Sequence, residues 1–152
     1  MNELAIGEIL RLGVIAGIVG TAGMTIMLNI ITKSKWANAD MVRAIGSIFT
    51  KDLNSAFTVG LIAHTIVGII IGIFYAFAII SFNLNSLIDV TAAGVIISVF
   101  HGAVVSLLLV VSVAEHHPVE QFRQAGFSVA AAHLAAHIVY GFLVGLTISL
   151  LI

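Results

Sequence analysis

Four long stretches of the chain contain no charged residue, and this feature limits the possible folds more than any other. They span residues 12–32, 56–82, 90–114 and 126–152. A helix needs about 20 residues to cross a hydrocarbon core of about 30 Å, and each stretch is long enough. None alternates with a period of two as a barrel strand does, and backbone groups in lipid must be hydrogen-bonded internally. The sequence therefore predicts an all-α integral membrane four-helix bundle, formed as a single domain over residues 1–152.

The composition agrees with a membrane environment and excludes several classes of function. Hydrophobic residues make up 61% of the chain and charged residues 9%, whereas soluble domains contain about 25% charged residues. A net charge of −1 provides no basic surface for nucleic acid. The chain has no cysteine, which excludes disulfides, thiolate metal sites and thiol nucleophiles. The predicted partner is the lipid bilayer, and the sequence leaves open whether the chain forms homo-oligomers or joins a larger membrane complex.

Basic residues are distributed unequally between the two sides of the predicted bundle. Of the six, only Arg11 lies outside the loops that follow the first and third stretches. The other five are Lys33, Lys35, Arg43, Lys51 and Arg123. Because cytoplasmic loops carry an excess of Lys and Arg, both loops are predicted to be cytoplasmic and both termini to lie outside the cytoplasm. We expect the inner membrane of a bacterium or archaeon. In the first loop, apolar residues at helical spacing predict a short amphipathic helix at the membrane interface over residues 40–50.

Two parts of the sequence match each other. Residues 64–68 followed by Gly72 match residues 137–141 followed by Gly145, and both segments begin with His and end with Gly. Upstream, Asp40, Arg43 and Gly46 match Glu120, Arg123 and Gly126 at the same internal spacing. The match predicts a tandem repeat of two-helix units, whose halves would be related by an axis along the membrane normal.

Short motifs in the first half of the chain resemble those of a known family. They are Gly20-Thr21 with Met24-Thr25, Asp40-Met41 with Gly46-Ser47, and Gly60 with His64, Gly68, Tyr75 and Ala76. In these motifs the chain resembles a family of small four-span bacterial membrane proteins of unknown function. The resemblance implies four membrane helices and no particular activity.

Histidines at related depths are the candidate functional residues, because an intramembrane imidazole is costly and marks a functional site by default. With a rise of about 1.5 Å per residue, His64 and His133 lie about 10 Å inside the predicted cytoplasmic boundary. On the same count His137 lies about 15 Å and His101 about 20 Å inside it. His133 and His137 are four residues apart and therefore share one helix face.

Neutral imidazole is a metal ligand, so the predicted cofactor is a transition-metal ion such as Zn, Cu or Fe. The histidine pair on the fourth span, together with His64 or His101, would supply three ligands and leave one coordination position open. A candidate peripheral metal site lies at the cytoplasmic boundary. Its residues are Glu115, His116 and His117.

Three alternatives remain at this point. A single b-type haem would take His64 and His137 as its axial ligands, with Gly60, Gly68 and Gly141 letting the porphyrin approach the backbone. A small transporter or accessory membrane subunit would use histidines on three spans to relay protons. The plainest alternative is that each histidine is a packing residue bonded to a hydroxyl or a backbone carbonyl. The sequence specifies no reaction or substrate.

Overall fold

The computed structural model describes residues 5–113 and 115–152. It contains five α-helices and, within these residues, no strand. They are α1 (Ile6–Lys33), α2 (Met41–Thr50), α3 (Leu53–Ser81), α4 (Leu87–Leu108) and α5 (Phe127–Leu151). Four of them are long and apolar enough to cross a membrane. The all-α four-helix prediction is therefore confirmed, and the apolar helices identify an integral membrane protein. The predicted end of the third span, Ala114, lies outside the described residues.

The order of the helices in space differs from their order along the chain. α1 packs closely against both α3 and α5, and α4 packs against α5. By contrast, α3 and α4 touch only loosely, although the connection at residues 82–86 is short. A short connection does not by itself bring two helices into close contact. Close packing depends on matching helix faces, and the glycine-rich face of α3 lies against α1.

Glycines bring the backbones of the helices close together. A Cβ atom on Gly72 would lie 2.5 Å from the Cα of Gly17, so α1 and α3 meet where neither has a side chain. Gly94 of α4 faces Gly141 of α5 in the same way. Because lipid provides no hydrophobic force between helices, van der Waals packing at such close contacts contributes to their association. The glycine contacts within the α1–α3 pair are equivalent to those within the α4–α5 pair. The contacts between the two pairs are not equivalent, because α1 packs closely against α5 whereas α3 and α4 touch only loosely. The tandem repeat therefore stays a prediction.

Within residues 40–50, where the sequence predicts a short interfacial helix, the structure contains α2, which forms a hairpin with α3. The side chain of Asp40 caps its first turn by accepting a hydrogen bond from the Arg43 backbone N–H at 3.1 Å. Gly46 lies against Ala56 and Gly60, and Gly60 in turn lies against Val42, so α2 runs antiparallel along the first turns of α3. This hairpin brings the start of α2 next to the histidine-bearing part of α3.

Candidate functional site

Two histidines of α5 are held in one orientation by the backbone of their own helix. The Nδ1–H of His133 donates to the Val129 carbonyl at 2.8 Å, and the Nδ1–H of His137 donates to the His133 carbonyl at 2.8 Å. A carbonyl oxygen only accepts, so Nδ1 carries the proton, and in a neutral ring Nε2 keeps its lone pair. This is the orientation in which a neutral imidazole presents Nε2 to a ligand.

Among the residues that the structure describes, two buried imidazole nitrogens have no hydrogen-bond partner. They are the Nε2 atoms of His64 and His133, whose residues are only 7% and 2% exposed. A buried polar atom without a partner costs about 1–3 kcal/mol. Such atoms are uncommon in native proteins and call for a specific explanation, of which a bound water or ion is one. These two nitrogens are therefore the most informative atoms of the candidate site.

A row of aromatic side chains continues from α5 to α4 and α3. The rings of His101 and His137 have centroids 5.1 Å apart, and His101 Nδ1 lies 3.2 Å from the hydroxyl of Tyr75. Tyr75 packs edge-to-face on Tyr140 at 5.6 Å. The hydroxyl of Tyr140 donates to the carbonyl of Gly68 at 2.7 Å. Polar aromatic groups from three helices thus meet inside the bundle.

Among the span histidines, the rings of His101 and His137 are in direct contact. Within the described residues, however, no group of three or more His, Asp or Glu side chains has the arrangement needed to hold a metal ion. The predicted set of three convergent ligands is not formed in this conformation, and metal binding stays a prediction.

Two cavities, both bordered by the start of α2, are lined in part by the residues His64 and His133. One, of about 320 Å³, lies between α1, α2 and α3 and is lined by His64. The other, of about 70 Å³, lies beside α5 and is lined by His133. Asp40 and Met41, at the start of α2, line both cavities. The first turn of α2 therefore forms a wall shared by the spaces next to the two histidines.

The predicted peripheral site at the boundary is not assembled as expected. His117 is buried: its Nε2–H donates to the Ala44 carbonyl at 3.0 Å, and its Nδ1 accepts from the Val119 N–H at 3.1 Å. Because one neutral tautomer uses both ring nitrogens on the backbone, His117 anchors its loop to α2. Glu115 and His116 are exposed. The sequence alone could not show whether His117 is a metal ligand or a residue that anchors its loop. The reason is that its hydrogen-bond partner, the Ala44 carbonyl, is 73 residues away along the chain.

The glycines expected to make room for a porphyrin are covered by protein. Gly60 faces the Val42 backbone, Gly68 faces the Thr21 side chain, and Gly141 faces Ser98. Glycine on a membrane helix serves helix contact as readily as cofactor contact, and here it serves helix contact. That part of the haem interpretation was wrong.

Sequence reasoning missed two residues that border the site, Thr25 and Met41. Thr25 has a buried hydroxyl without a partner, and Met41 lines both cavities. The sequence signal that could have pointed to these residues is Asp40, because a helix-capping residue predicts where α2 begins. It does not predict which histidines lie near the start of α2.

Comparisons of the chain with protein-family models, with curated proteins and with solved structures give no match.

Proposed function

We propose that the membrane bundle binds one transition-metal ion through the Nε2 atoms of His64 and His133, with His137 as the third ligand. The observation that carries this proposal is the pair of buried Nε2 atoms without hydrogen-bond partners. They come from two different helices, α3 and α5. Imidazole ligands suit Zn, Cu and Fe.

The backbone of α5 contributes to ligand binding in this proposal. Metal-bound histidines usually donate their other ring N–H to a carbonyl or carboxylate, which fixes the tautomer and the ring orientation. His133 and His137 already make such bonds to carbonyls one turn earlier. The two rings project from the same face of α5 and need no change of tautomer to act as ligands.

Elemental analysis of untagged protein tests the proposal, because a histidine tag would itself bind metal. We expect about one ion per chain after metal is supplied. His64→Gln and His133→Gln should each weaken binding at least tenfold. His116→Ala, which removes an exposed histidine, serves as the matched control and should bind as the unsubstituted protein does. A stoichiometry far below one, or full binding by both glutamine variants, would refute metal binding at this site.

A second candidate, a proton relay in a small transporter or accessory subunit, is favoured by a different observation. The Tyr75 hydroxyl and His101 Nδ1 are 3.2 Å apart, and the His101 ring contacts His137. Phenol and imidazole groups in sequence can pass a proton by hydrogen-bond exchange. Proton flux into liposomes should then fall in Tyr75→Phe. Flux equal to that of empty liposomes in the unsubstituted protein would exclude this candidate.

The proposed orientation places the two basic loops in the cytoplasm and both termini outside it, in a bacterial or archaeal inner membrane. Two contacts between the loops support a common side for them. The side-chain amide of Asn38 donates to the Gln121 carbonyl at 3.3 Å, and His117 bonds to α2. Since five of the six basic residues lie in these loops, the positive-inside rule favours the cytoplasmic side.

A further inference from the structure

The face of α4 that looks toward α3 is covered at one end and open at the other. His101 contacts Tyr75 of α3, and Val90, Val104 and Leu108 lie on the same side of α4 as His101 by helical spacing. Val90, close to the connection between the two helices, is 2% exposed, whereas Val104 and Leu108 are 58% and 55% exposed. The two helices therefore diverge along their length. We call the opening between Tyr75, His101, Val104 and Leu108 the α3–α4 cleft.

A hydrogen-bonded pair closes the narrow end of the α3–α4 cleft. The Tyr75 hydroxyl and His101 Nδ1 are 3.2 Å apart, and neither side chain has another hydrogen-bond partner among the described residues. A phenol and a neutral imidazole carry one donor hydrogen each, and the bond between them uses one of the two. One donor hydrogen is therefore left over in either tautomer. His101 is half-buried, and its Nε2 is not enclosed by protein as the Nε2 atoms of His64 and His133 are.

The unused donor lies deep in the membrane. His101 is in the middle part of the spanning helix Leu87–Val111, about 15–20 Å from either end at a rise of about 1.5 Å per residue. Water is absent from the hydrocarbon core, and acyl chains offer no acceptor, so a donor without a partner is costly there. The α3–α4 cleft therefore suits an occupant that carries a hydrogen-bond acceptor and is soluble in the membrane interior.

The sides of the cleft favour a small molecule over a helix of another protein. Membrane helices pack on one another through small residues, as the glycine contacts inside this bundle do. The open end of the cleft instead presents Val104 and Leu108, and the backbone acceptors of a docking helix would already be used within that helix. Phospholipid ester carbonyls lie at the interface, outside the hydrocarbon core. A quinone has carbonyl acceptors on a flat ring that is soluble in the membrane interior, and the edges of aromatic side chains suit such a ring.

We propose that the α3–α4 cleft binds the head group of a membrane-soluble quinone. One carbonyl oxygen of the quinone accepts a hydrogen bond from the Tyr75–His101 pair, and the tail leaves past Val104 and Leu108 into the lipid. The His101 ring touches that of His137, a proposed metal ligand, but is not itself a ligand in that proposal. The quinone site goes beyond the proposed function and does not rest on it.

Filling the open end of the cleft tests the site directly. Val104→Trp places a large side chain in the cleft. Ile96→Trp is the matched control, because Ile96 is 57% exposed on a different side of α4 from His101. The probe is a benzoquinone with a decyl tail, added to chelator-treated protein in nanodiscs of quinone-free lipid. We expect saturable binding of about one molecule per chain, at least tenfold weaker in Val104→Trp and unchanged in Ile96→Trp. Partitioning of the probe into the lipid is the same for all variants.

The hydrogen bond has a separate signature in the infrared spectrum of the bound quinone. Its carbonyl stretch should shift to lower frequency in the unsubstituted protein and lose this shift in His101→Phe, which keeps a ring but has no nitrogen. If His101→Phe does not fold, the two tryptophan variants decide alone. Equal affinity of Val104→Trp and Ile96→Trp would overturn the site, and absence of saturable binding would overturn it in favour of another occupant, such as a partner helix. A protein that binds metal but no quinone would refute only this inference, and the reverse result would refute only the proposed function.

Discussion

The imidazole rings of His101 and His137 meet edge to face, with centroids 5.1 Å apart and planes at 89°. Gly102 makes this contact possible, because a Cβ atom there would lie 2.5 Å from the Cβ of His137. The glycine thus brings α4 close enough to α5 for the two rings to touch. Helix packing and the arrangement of the histidines are determined by the same contact in this part of the bundle.

Replacing Gly102 by alanine should therefore disturb both features. The added methyl group has to push α4 away from His137, and overpacking of this kind costs about 1–3 kcal/mol. Thermal unfolding in one detergent should show a lower midpoint for Gly102→Ala than for the unsubstituted protein. Gly7→Ala is the control, since a Cβ on Gly7 meets nothing within 4 Å. Equal stability of the two variants would show that the close approach at Gly102 is unimportant.

Most of the fold could be predicted from the sequence, because backbone groups in lipid must be hydrogen-bonded within the protein and this requirement determines the helices. Uncharged stretches of more than 20 residues must be helical in lipid, and the helical spacing of apolar residues in the first loop located α2. The order of the helices in space could not be predicted from hydropathy. It depends on which glycine-bearing faces meet, and glycines such as Gly17, Gly68 and Gly94 occur on every long helix.

Tyr140 provides a second test, because its hydroxyl joins two helices that otherwise touch little. It donates to the Gly68 carbonyl at 2.7 Å, which links α5 to α3. Tyr140→Phe should lower the free energy of unfolding by about 1 kcal/mol, the usual net value of one such bond. Ser149→Ala is the control, since the Ser149 hydroxyl bonds only to the Leu146 carbonyl of its own helix. A loss no larger than that of the control would mean that the link between the helices contributes nothing.

The candidate site was less predictable than the fold. Depth along a helix follows from counting residues, and it correctly suggested that His101 and His137 are at compatible levels. The direction of each ring nitrogen does not follow from counting. His117 uses both nitrogens on backbone groups, whereas His133 leaves one without a partner. That difference depends on carbonyls distant in sequence and on which rotamer the packing permits.

The turn between α2 and α3 should respond to acid through Asp52. Hydrogen bonds from the backbone N–H groups of Asn54 and Ser55 hold the pKa of Asp52 below its usual value. A lowered pKa in the folded state means that the cap stabilises the turn above the ordinary pKa of about 3.9 and is lost as the pH falls through the folded value. The amide shifts of Asn54 and Ser55 should titrate in that range. In Asp52→Asn, which caps without ionising, the same shifts should stay flat, and a titration unchanged by the substitution would contradict the assignment.

His117 offers a test of how the second loop is attached. His117→Phe keeps an aromatic ring to pack on Phe122, at 4.9 Å in the native contact, but it cannot bond to Ala44 or Val119. Loss of these two bonds should raise the hydrogen-exchange rate of the Val119 amide and its neighbours at least tenfold, which corresponds to about 1.4 kcal/mol of local opening free energy. His117→Gln retains a side-chain donor and should recover part of the protection. Gln124→Ala, an exposed change in the same loop, should leave the Val119 rate unaltered. If His117→Phe also left it unaltered, the loop would have to be held by the Arg123 bond to the His117 carbonyl instead.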